Sequence, residues 1–185
     1  MKLKQFFFIK LRILKYKWLS DCQSVVGQAR LFHPLLLKGK GTVTFGNNVQ
    51  IGVIASPNYY SHYAYIEARN EKSQIIVGDN VTVSNGFSAE AMDKITIGAN
   101  VLIGVNCNII DHDGHNLAAD KRIEGKPNAA AVLIDENVFL GDNVTILKGV
   151  TIGKNSVIGN SSVVTKSIPA NVIAAGNPAK VIREL

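Results

Sequence analysis

The sequence predicts an all-β protein in which short strands wind into a coil that stacks on itself. Over long stretches an aliphatic residue returns at every sixth position. A period of six is a multiple of the two-residue period of a strand but not of the 3.6-residue period of a helix. Val and Ile, which both favour strands, make up 39 of the 185 residues.

A recurring triplet, Gly-x-Asn, predicts the corners between these strands. Gly and Asn readily adopt a positive φ, so each triplet can form a sharp turn. Stacked units of strand and corner would pair their backbones in parallel along the coil axis. The triplets are Gly46-Asn48, Gly78-Asn80, Gly98-Asn100, Gly104-Asn106, Gly141-Asn143 and Gly153-Asn155.

Residues 1–20 are predicted to form a helix. Five apolar side chains fall on one stripe at helical spacing, with basic residues on its flanks: Leu3, Phe7, Leu11, Leu14 and Trp18. Two interpretations are open. The helix adsorbs to an anionic membrane surface, or it packs on the coil or on a partner subunit. We expect a helical segment over residues 1–40 and a coil domain over 41–185.

Two excursions interrupt the repeat. The first, residues 54–75, holds four of the five tyrosines, which either stack on a sugar or pack on a neighbouring coil or subunit. The second, residues 111–131, is polar and holds two of the four histidines. A long loop on a rigid scaffold is more often functional than not, so the second excursion is the candidate site.

Composition excludes several classes of protein. Hydrophobic residues make up 46% and charged residues 18% of the chain, which excludes intrinsic disorder. Six of the 20 basic residues lie in the first 17 positions, so the remainder is nearly balanced in charge and predicts no nucleic-acid partner. The apolar start is interrupted by charges, unlike a signal peptide. We expect a cytoplasmic protein, peripheral at the inner face of the membrane if the helix adsorbs.

The two cysteines, Cys22 and Cys107, predict neither a disulfide framework nor a zinc site. Cys107 occupies the small inward position of its six-residue unit, which favours a place in the core over a role as nucleophile.

The candidate base lies among the histidines of the second excursion. A neutral imidazole is suited to accepting a proton near pH 7. In an extended segment alternate side chains share a side, which groups Asp111, Asp113 and His115 and turns His112 the other way. An Asp two residues from a His can orient its ring.

The repeat and its corners resemble the hexapeptide-repeat acyltransferases, over the chain from about Gly41 to its end. The resemblance implies a left-handed parallel β-helix of triangular section. From about Val77 onward the chain is similar, without a gap, to maltose and galactoside O-acetyltransferases. It also implies a closed homotrimer with active sites between subunits, no metal, and acetyl-CoA as the co-substrate.

This alignment places His115 on the family's catalytic base, with His112 as the alternative. Asn85 falls on an asparagine of the acceptor pocket, and Asp93 on a sugar-contacting acid. The implied mechanism is direct transfer. His115 removes the proton of an acceptor hydroxyl, that oxygen attacks the thioester carbonyl, and backbone N–H groups hold the oxyanion.

The resemblance also implies which residues contact CoA. Cations at the C-terminal end match positions that bind its phosphates, although a solvated surface is the alternative for each lysine: Lys166, Lys180 and Arg183. Other residues match positions lining the pantetheine channel: Gly141, Asp142, Asn160 and Thr165. Phe139 stands where the family often has Trp, and would form an aromatic wall against cofactor or acceptor.

The helical module of maltose acetyltransferases is not recognisable, so the resemblance favours capsule, lipopolysaccharide or other surface-glycan precursors as acceptors. Two other functions are weighed. A zinc enzyme like the γ-class carbonic anhydrases would use His62, His112 and His115 as ligands. A non-catalytic scaffold would use the coil alone.

Overall fold

The computed structural model describes residues 3–185 and contains three faces of short strands. We call them faces A, B and C, in the order in which the chain visits them. Successive turns of the coil add one strand to each face, in parallel with the strand below. The corners are named AB, BC and CA after the faces they join. The predicted all-β fold of stacked parallel strands is confirmed.

Face A consists of β1 (Ser24–Val26), β4 (Thr42–Phe45), β7 (Gln74–Val77), β10 (Lys94–Ile97), β13 (Val132–Ile134) and β16 (Thr151–Ile152). Face B consists of β2 (Arg30–Leu31), β5 (Gln50–Ile51), β8 (Thr82–Val83), β11 (Leu102–Ile103), β14 (Phe139–Leu140), β17 (Val157–Ile158), β19 (Val172–Gly176) and β20 (Ala179–Glu184). The last strand, β20, is the exception to the parallel order and pairs antiparallel with β19. Face C consists of β3 (Leu35–Lys38), β6 (Ala64–Ala68), β9 (Ser88–Ala91), β12 (Asn108–Ile110), β15 (Thr145–Ile146) and β18 (Val163–Val164).

The core is a set of aliphatic columns that run along the inside of each face. On face A, Ile95 pairs in register with Ile75 on one side and with Val132 on the other, and all three are buried. The six-residue period places each such residue directly above its equivalent one coil below. The columns therefore explain why the repeat is aliphatic at this position.

Asparagines form the corners as the triplets predict. All six triplet asparagines have φ between 55° and 64°. At corner AB their side chains stack, with the Asn48 amide donating to Asn80 and that of Asn80 to Asn100, both at 3.2 Å. A Cβ added at Gly98 would lie 2.7 Å from the backbone nitrogen of Glu136, so the close approach of coils requires glycine there.

The first coil begins earlier than the sequence indicates. Strands β1 to β3 lie within residues 24–38, although this stretch was expected to belong to the helical segment before residue 41. It carries no Gly-x-Asn triplet, so the repeat signal is absent from it. Similarly, strand β6 and the start of β7 lie within the expected first excursion, which in the structure occupies residues 52–63.

The predicted helix is present near the start of the chain. Helix α1 (Leu3–Gln5) continues through a π-helical turn (Phe6–Lys10) into α2 (Leu11–Leu19). Within the described residues, no helix combines the length and apolar character needed to cross a bilayer.

The five residues of the predicted apolar stripe all face outward. The opposite side of the helix packs on the coil, where the ring of Tyr16 stacks on that of Tyr63 with centroids 4.5 Å apart. The helix therefore packs on the coil with one side, while the apolar stripe on its other side stays exposed.

Candidate functional site

The second excursion leaves the coil at corner CA, between β12 and β13, and its two legs pair with each other. The Asp113 N–H donates to the carbonyl of Asn128, and the Ala130 N–H to that of Asp111. The excursion contains a short 3-10 turn (Ala119–Lys121). Its base is therefore fixed to the rigid coil.

Asp111 fastens this base and is fully buried. One carboxylate oxygen accepts the Met92 N–H at 2.7 Å, and the other accepts the Asp93 N–H at 2.8 Å. These bonds close corner CA of the coil below. Asp111 is therefore a structural residue, and its position brings the backbone of the predicted acceptor-side residue Asp93 to the base of the excursion.

His112 lies at the same corner and is buried, with 4% of its surface exposed. Its Nδ1 accepts the Gly114 N–H at 2.9 Å, while Nε2 has no hydrogen-bond partner among the described residues. Burial lowers the pKa of the imidazole, and the nearby Arg69 lowers it further. His112 is thus a buried ring that is held at Nδ1, while its Nε2 is left without a partner in the described chain.

Asp113 differs from its expected place beside His115. Its carboxylate lies 3.0 Å from the Lys148 ammonium, a distance for an ion pair but without the geometry of a hydrogen bond. Lys148 lies at corner CA one coil further along. The carboxylate of Asp113 is therefore paired with Lys148 of the next coil. The alternation of side chains along the excursion had predicted that it would lie beside His115.

His115 is exposed, and within residues 3–185 its ring makes no hydrogen bond. It lies near the start of the excursion, between the paired Asp113 and Asn116. Asn116 is itself bound within the loop, since its amide donates to the Lys126 carbonyl at 3.2 Å. The ring of His115 is therefore presented to solvent from a loop that is braced on both sides.

Asn85 lies under the first excursion, at corner BC, and is fully buried. Its amide donates to the carbonyls of Val53 at 3.0 Å and Pro57 at 2.8 Å, and its oxygen accepts the Val53 N–H at 3.1 Å. The buried His33 holds the far end of the same excursion, donating from Nε2 to the Ser61 carbonyl at 2.9 Å. Sequence reasoning assigned no role to His33.

The tyrosines of the first excursion pack on the protein. Tyr59 is buried, and Tyr63 stacks on the helix as described above. Tyr60 is exposed, and Tyr63 also keeps 38% of its surface exposed. Of the two interpretations for the cluster, packing against neighbouring elements describes most of its members.

Asn85 and His115 are not brought together within one chain. Asn85 lies at corner BC and His115 at corner CA, and a strand of face C separates the two corners. At about 3.3 Å per residue such a strand spans roughly 15 Å. By contrast, Asp93 shares corner CA with His115.

The predicted CoA residues also divide among different regions of the chain. Gly141, Asp142 and Asn160 lie at corner BC, where the Asn160 side chain accepts the Asp142 N–H at 2.9 Å. Thr165 and Lys166 lie at corner CA, and both are exposed. The remaining residues lie on face B, where they are exposed: Phe139 on β14, and Lys180 and Arg183 on β20.

A charged cluster on face C was missed by sequence reasoning. Arg69 donates to the carboxylates of Glu67 and Glu90, each at 2.7 Å. Burial and the adjacent Glu67 raise the pKa of Tyr65 to about 12. The signal was present as alternate polar residues on two strands, but their register across β6 and β9 was not visible in one sequence.

Two alternatives find no support in the geometry of one chain. His62 lies at corner BC and the other two proposed zinc ligands at corner CA, and among residues 3–185 no three His, Cys, Asp or Glu side chains form a metal-binding group. Cys107 is buried in the core, and burial raises the pKa of its thiol to about 11. It is therefore a core residue, as the repeat predicts.

Known proteins show the family to which this architecture belongs. Residues 131–166 match the family model of the bacterial transferase hexapeptide (six repeats), and residues 94–114 match that of the hexapeptide repeat of succinyl-transferase. The chain is 32% identical over 160 residues to WbbJ of Escherichia coli strain K12, provisionally named a lipopolysaccharide biosynthesis O-acetyl transferase. That alignment covers 82% of this chain and 76% of WbbJ. The chain belongs to the hexapeptide-repeat acetyltransferases.

Other members of the family differ from it in length. The galactoside O-acetyltransferase of E. coli strain K12 is 37% identical over 142 residues, which cover 77% of this chain but only 57% of that enzyme. The chain thus spans little more than half the length of this curated relative.

Two crystal structures share the fold. The polySia-specific acetyltransferase NeuO superposes with a TM-score of 0.59 at 30% identity, covering 88% of this chain and 80% of NeuO. PerB from Caulobacter crescentus, bound to CoA and GDP-perosamine, gives 0.54 at 25% identity, covering 85% of this chain and 57% of PerB. The left-handed parallel β-helix of the family is the fold of this chain.

Proposed function

We propose that the protein transfers an acetyl group from acetyl-CoA to a sugar hydroxyl of a surface-glycan precursor. The observation that carries this proposal is His115, an exposed imidazole without a hydrogen-bond partner in residues 3–185, on a braced loop of an acetyltransferase chain. A general base must come within hydrogen-bond reach of the acceptor hydroxyl, and the exposed ring of His115 leaves a nitrogen open for that contact.

The donor is acetyl-CoA, and its phosphates bind the exposed cations of the C-terminal coils. Lys166, Lys180 and Arg183 are exposed, and none of the three forms an ion pair within the described residues. PerB, which shares the fold, was crystallised with CoA. The uncommitted cations and this likeness support the same donor here.

In the proposed step, an unprotonated nitrogen of His115 accepts the hydroxyl proton of the acceptor as its oxygen attacks the thioester carbonyl. The tetrahedral intermediate then collapses, the C–S bond breaks, and the proton passes from the imidazolium to the CoA thiolate. The products are an O-acetyl ester and CoA thiol.

The site is completed by a second copy of the chain in a closed trimer. Within one chain Asn85, Asp142 and Asn160 lie at corner BC, whereas His115, Asp93 and Lys166 lie at corner CA. Packing corner BC of one copy against corner CA of the next brings the two sets together, and cyclic symmetry repeats this contact. Asn85 contributes by holding the first excursion in place, since its amide is fully bonded.

The acceptor class is supported by the relatives. One is named for lipopolysaccharide biosynthesis, one for galactosides and one for polysialic acid. All three names refer to glycans. We therefore propose a hydroxyl of a sugar in a surface glycan or its precursor.

The test is acceptor-dependent release of CoA thiol, with free disaccharides, lipopolysaccharide fragments and sialic acid oligomers as the panel. We expect release with a glycan fragment and a loss of about 10²–10⁴-fold in His115→Ala, the usual effect of removing a general base. Asn47→Ala, which removes an exposed side chain at corner AB, away from both corners of the proposed site, is the control. Equal turnover in wild type and His115→Ala contradicts the assignment, and an equal loss in His112→Ala alone transfers it to His112.

A further inference from the structure

The helix at residues 3–19 presents an apolar stripe that the rest of the described chain does not cover. Trp18 is 84% exposed and Leu14 61% exposed, and Leu3, Phe7 and Leu11 continue the stripe along the helix. Exposed apolar residues scattered singly are ordinary, but here they are contiguous and on one face. The proposed acetyl transfer uses none of them.

The helix is firmly held by its other side, so the exposure of the stripe does not come from a loose segment. Ile9 is buried, the Arg12 guanidinium donates to the backbone carbonyl of His62, and Tyr16 stacks on Tyr63. At the end of α2, the Ser20 hydroxyl donates to the Tyr16 carbonyl and accepts the Leu37 N–H. The first bond caps the helix, and the second joins the helix end to β3 of the coil. The stripe is therefore a fixed outward surface.

The charges beside the apolar stripe indicate which kind of partner binds it. Helix residues 3–19 carry five cations and no acidic residue, whereas residues 18–185 contain equal numbers of basic and acidic residues. The exposed Lys15 and Lys17 lie on opposite flanks of the stripe formed by Leu11, Leu14 and Trp18. Two such helices packed stripe to stripe would bring these lysines together, which disfavours a second copy as the occupant.

Cations beside an apolar face match a bilayer with anionic headgroups. Trp and Phe side chains are favoured at the membrane interface, and lysines beside them bind anionic lipid. We propose that this helix docks the protein on the surface of an anionic lipid membrane, with the stripe inserted at the level of the headgroups. The docking is separate from acetyl transfer, so either property can fail without the other.

Trp18 is the single tryptophan of the chain and reports the docking directly. Full-length protein is titrated with vesicles of phosphatidylcholine alone or with 30% phosphatidylglycerol. We expect a blue shift of the Trp18 emission and co-sedimentation only with the anionic vesicles, and both should weaken as salt is raised. Equal binding to the two vesicle types, or no binding to either, overturns the proposal.

Charge and apolar contributions are separated by variants at exposed positions, whose thermal unfolding should match that of wild type. Lys15→Gln with Lys17→Gln should weaken binding roughly 25-fold, at about fivefold for each cation. Lys40→Gln with Lys72→Gln removes two exposed lysines elsewhere and should leave binding unchanged. Leu14→Ser should also weaken binding, with Trp18 intact as the probe.

A covering partner would give a different result. If a second copy buries the stripe, the Trp18 emission is blue-shifted before vesicles are added and changes with protein concentration. That result contradicts membrane docking. Loss of thiol release with intact vesicle binding would instead overturn the proposed enzyme while leaving the docking in place.

Discussion

The Asn85 amide is fully occupied by the backbone of the first excursion, which differs from the contact with the acceptor that the family alignment implies. Its side chain is fully buried and satisfies the Val53 N–H and the carbonyls of Val53 and Pro57. Removing one partner of a buried hydrogen bond leaves the other unpaired, at about 1–3 kcal/mol for each group. Asn85 is thus a residue on which the shape of corner BC depends.

We predict that Asn85→Ala lowers the free energy of unfolding by about 2–4 kcal/mol, because a buried side chain is lost and three backbone groups of the first excursion lose their partner together. Chemical denaturation measures this value. Asn47→Ala, at an exposed position, is the control and should change it by less than about 0.5 kcal/mol. A loss in Asn85→Ala no larger than the control would mean that the amide does not hold the excursion.

His33 supports the same excursion, and we predict that its titration makes the free energy of unfolding depend on pH. Burial lowers the pKa of His33 below that of an unfolded chain, near 6.5. The contribution is fully present above pH 6.5. As pH falls below that value, the unfolded chain binds a proton that the folded chain does not, so stability decreases until the lowered native pKa is reached.

We therefore expect the free energy of unfolding to fall between pH 7.5 and pH 5, and His33→Gln to flatten part of that fall. Gln can still donate to the Ser61 carbonyl but does not titrate. His112, whose pKa burial also lowers, accounts for a remaining slope in the variant. An unchanged slope in His33→Gln would show that His33 titrates alike in both states.

The strands and corners of the coil are specified by local patterns in the sequence, whereas the excursions are not. The aliphatic columns and positive-φ corners are local signals that repeat, so each unit predicts its own geometry. The excursions are positioned by contacts from other coils. Lys148 reaches Asp113, and Arg12 of the helix reaches the backbone of His62. The docking of the helix is predicted at the scale of elements, since it depends on one face of one element.

Two features limit what one sequence predicts about this fold: segments without the repeat, and contacts between distant parts of the chain. The repeat predicted the fold from about Gly41, but the first coil at residues 24–38 lacks the triplet and was missed. The sequence predicts Asp113 beside His115, but its carboxylate pairs with Lys148, because long-range register decides the partners of a charged side chain. The cluster of Arg69, Glu67 and Glu90 was missed for the same reason.

The division of predicted site residues between corners BC and CA is also a property of the whole molecule. Alignment places these residues in one pocket, but one chain places them a strand of face C apart. Sequence spacing cannot distinguish residues that meet within a chain from residues that meet between copies. The proposed proton transfer therefore takes place at corner CA, where His115 lies.

The most direct test of O-acetyl transfer by His115 is the product itself. A glycan fragment incubated with acetyl-CoA and the protein should gain the mass of one acetyl group, and mild alkali should remove it, because the product is an ester. His115→Ala should form this product at least about 10²-fold more slowly. An alkali-stable product, or equal ester formation by His115→Ala, would contradict the account.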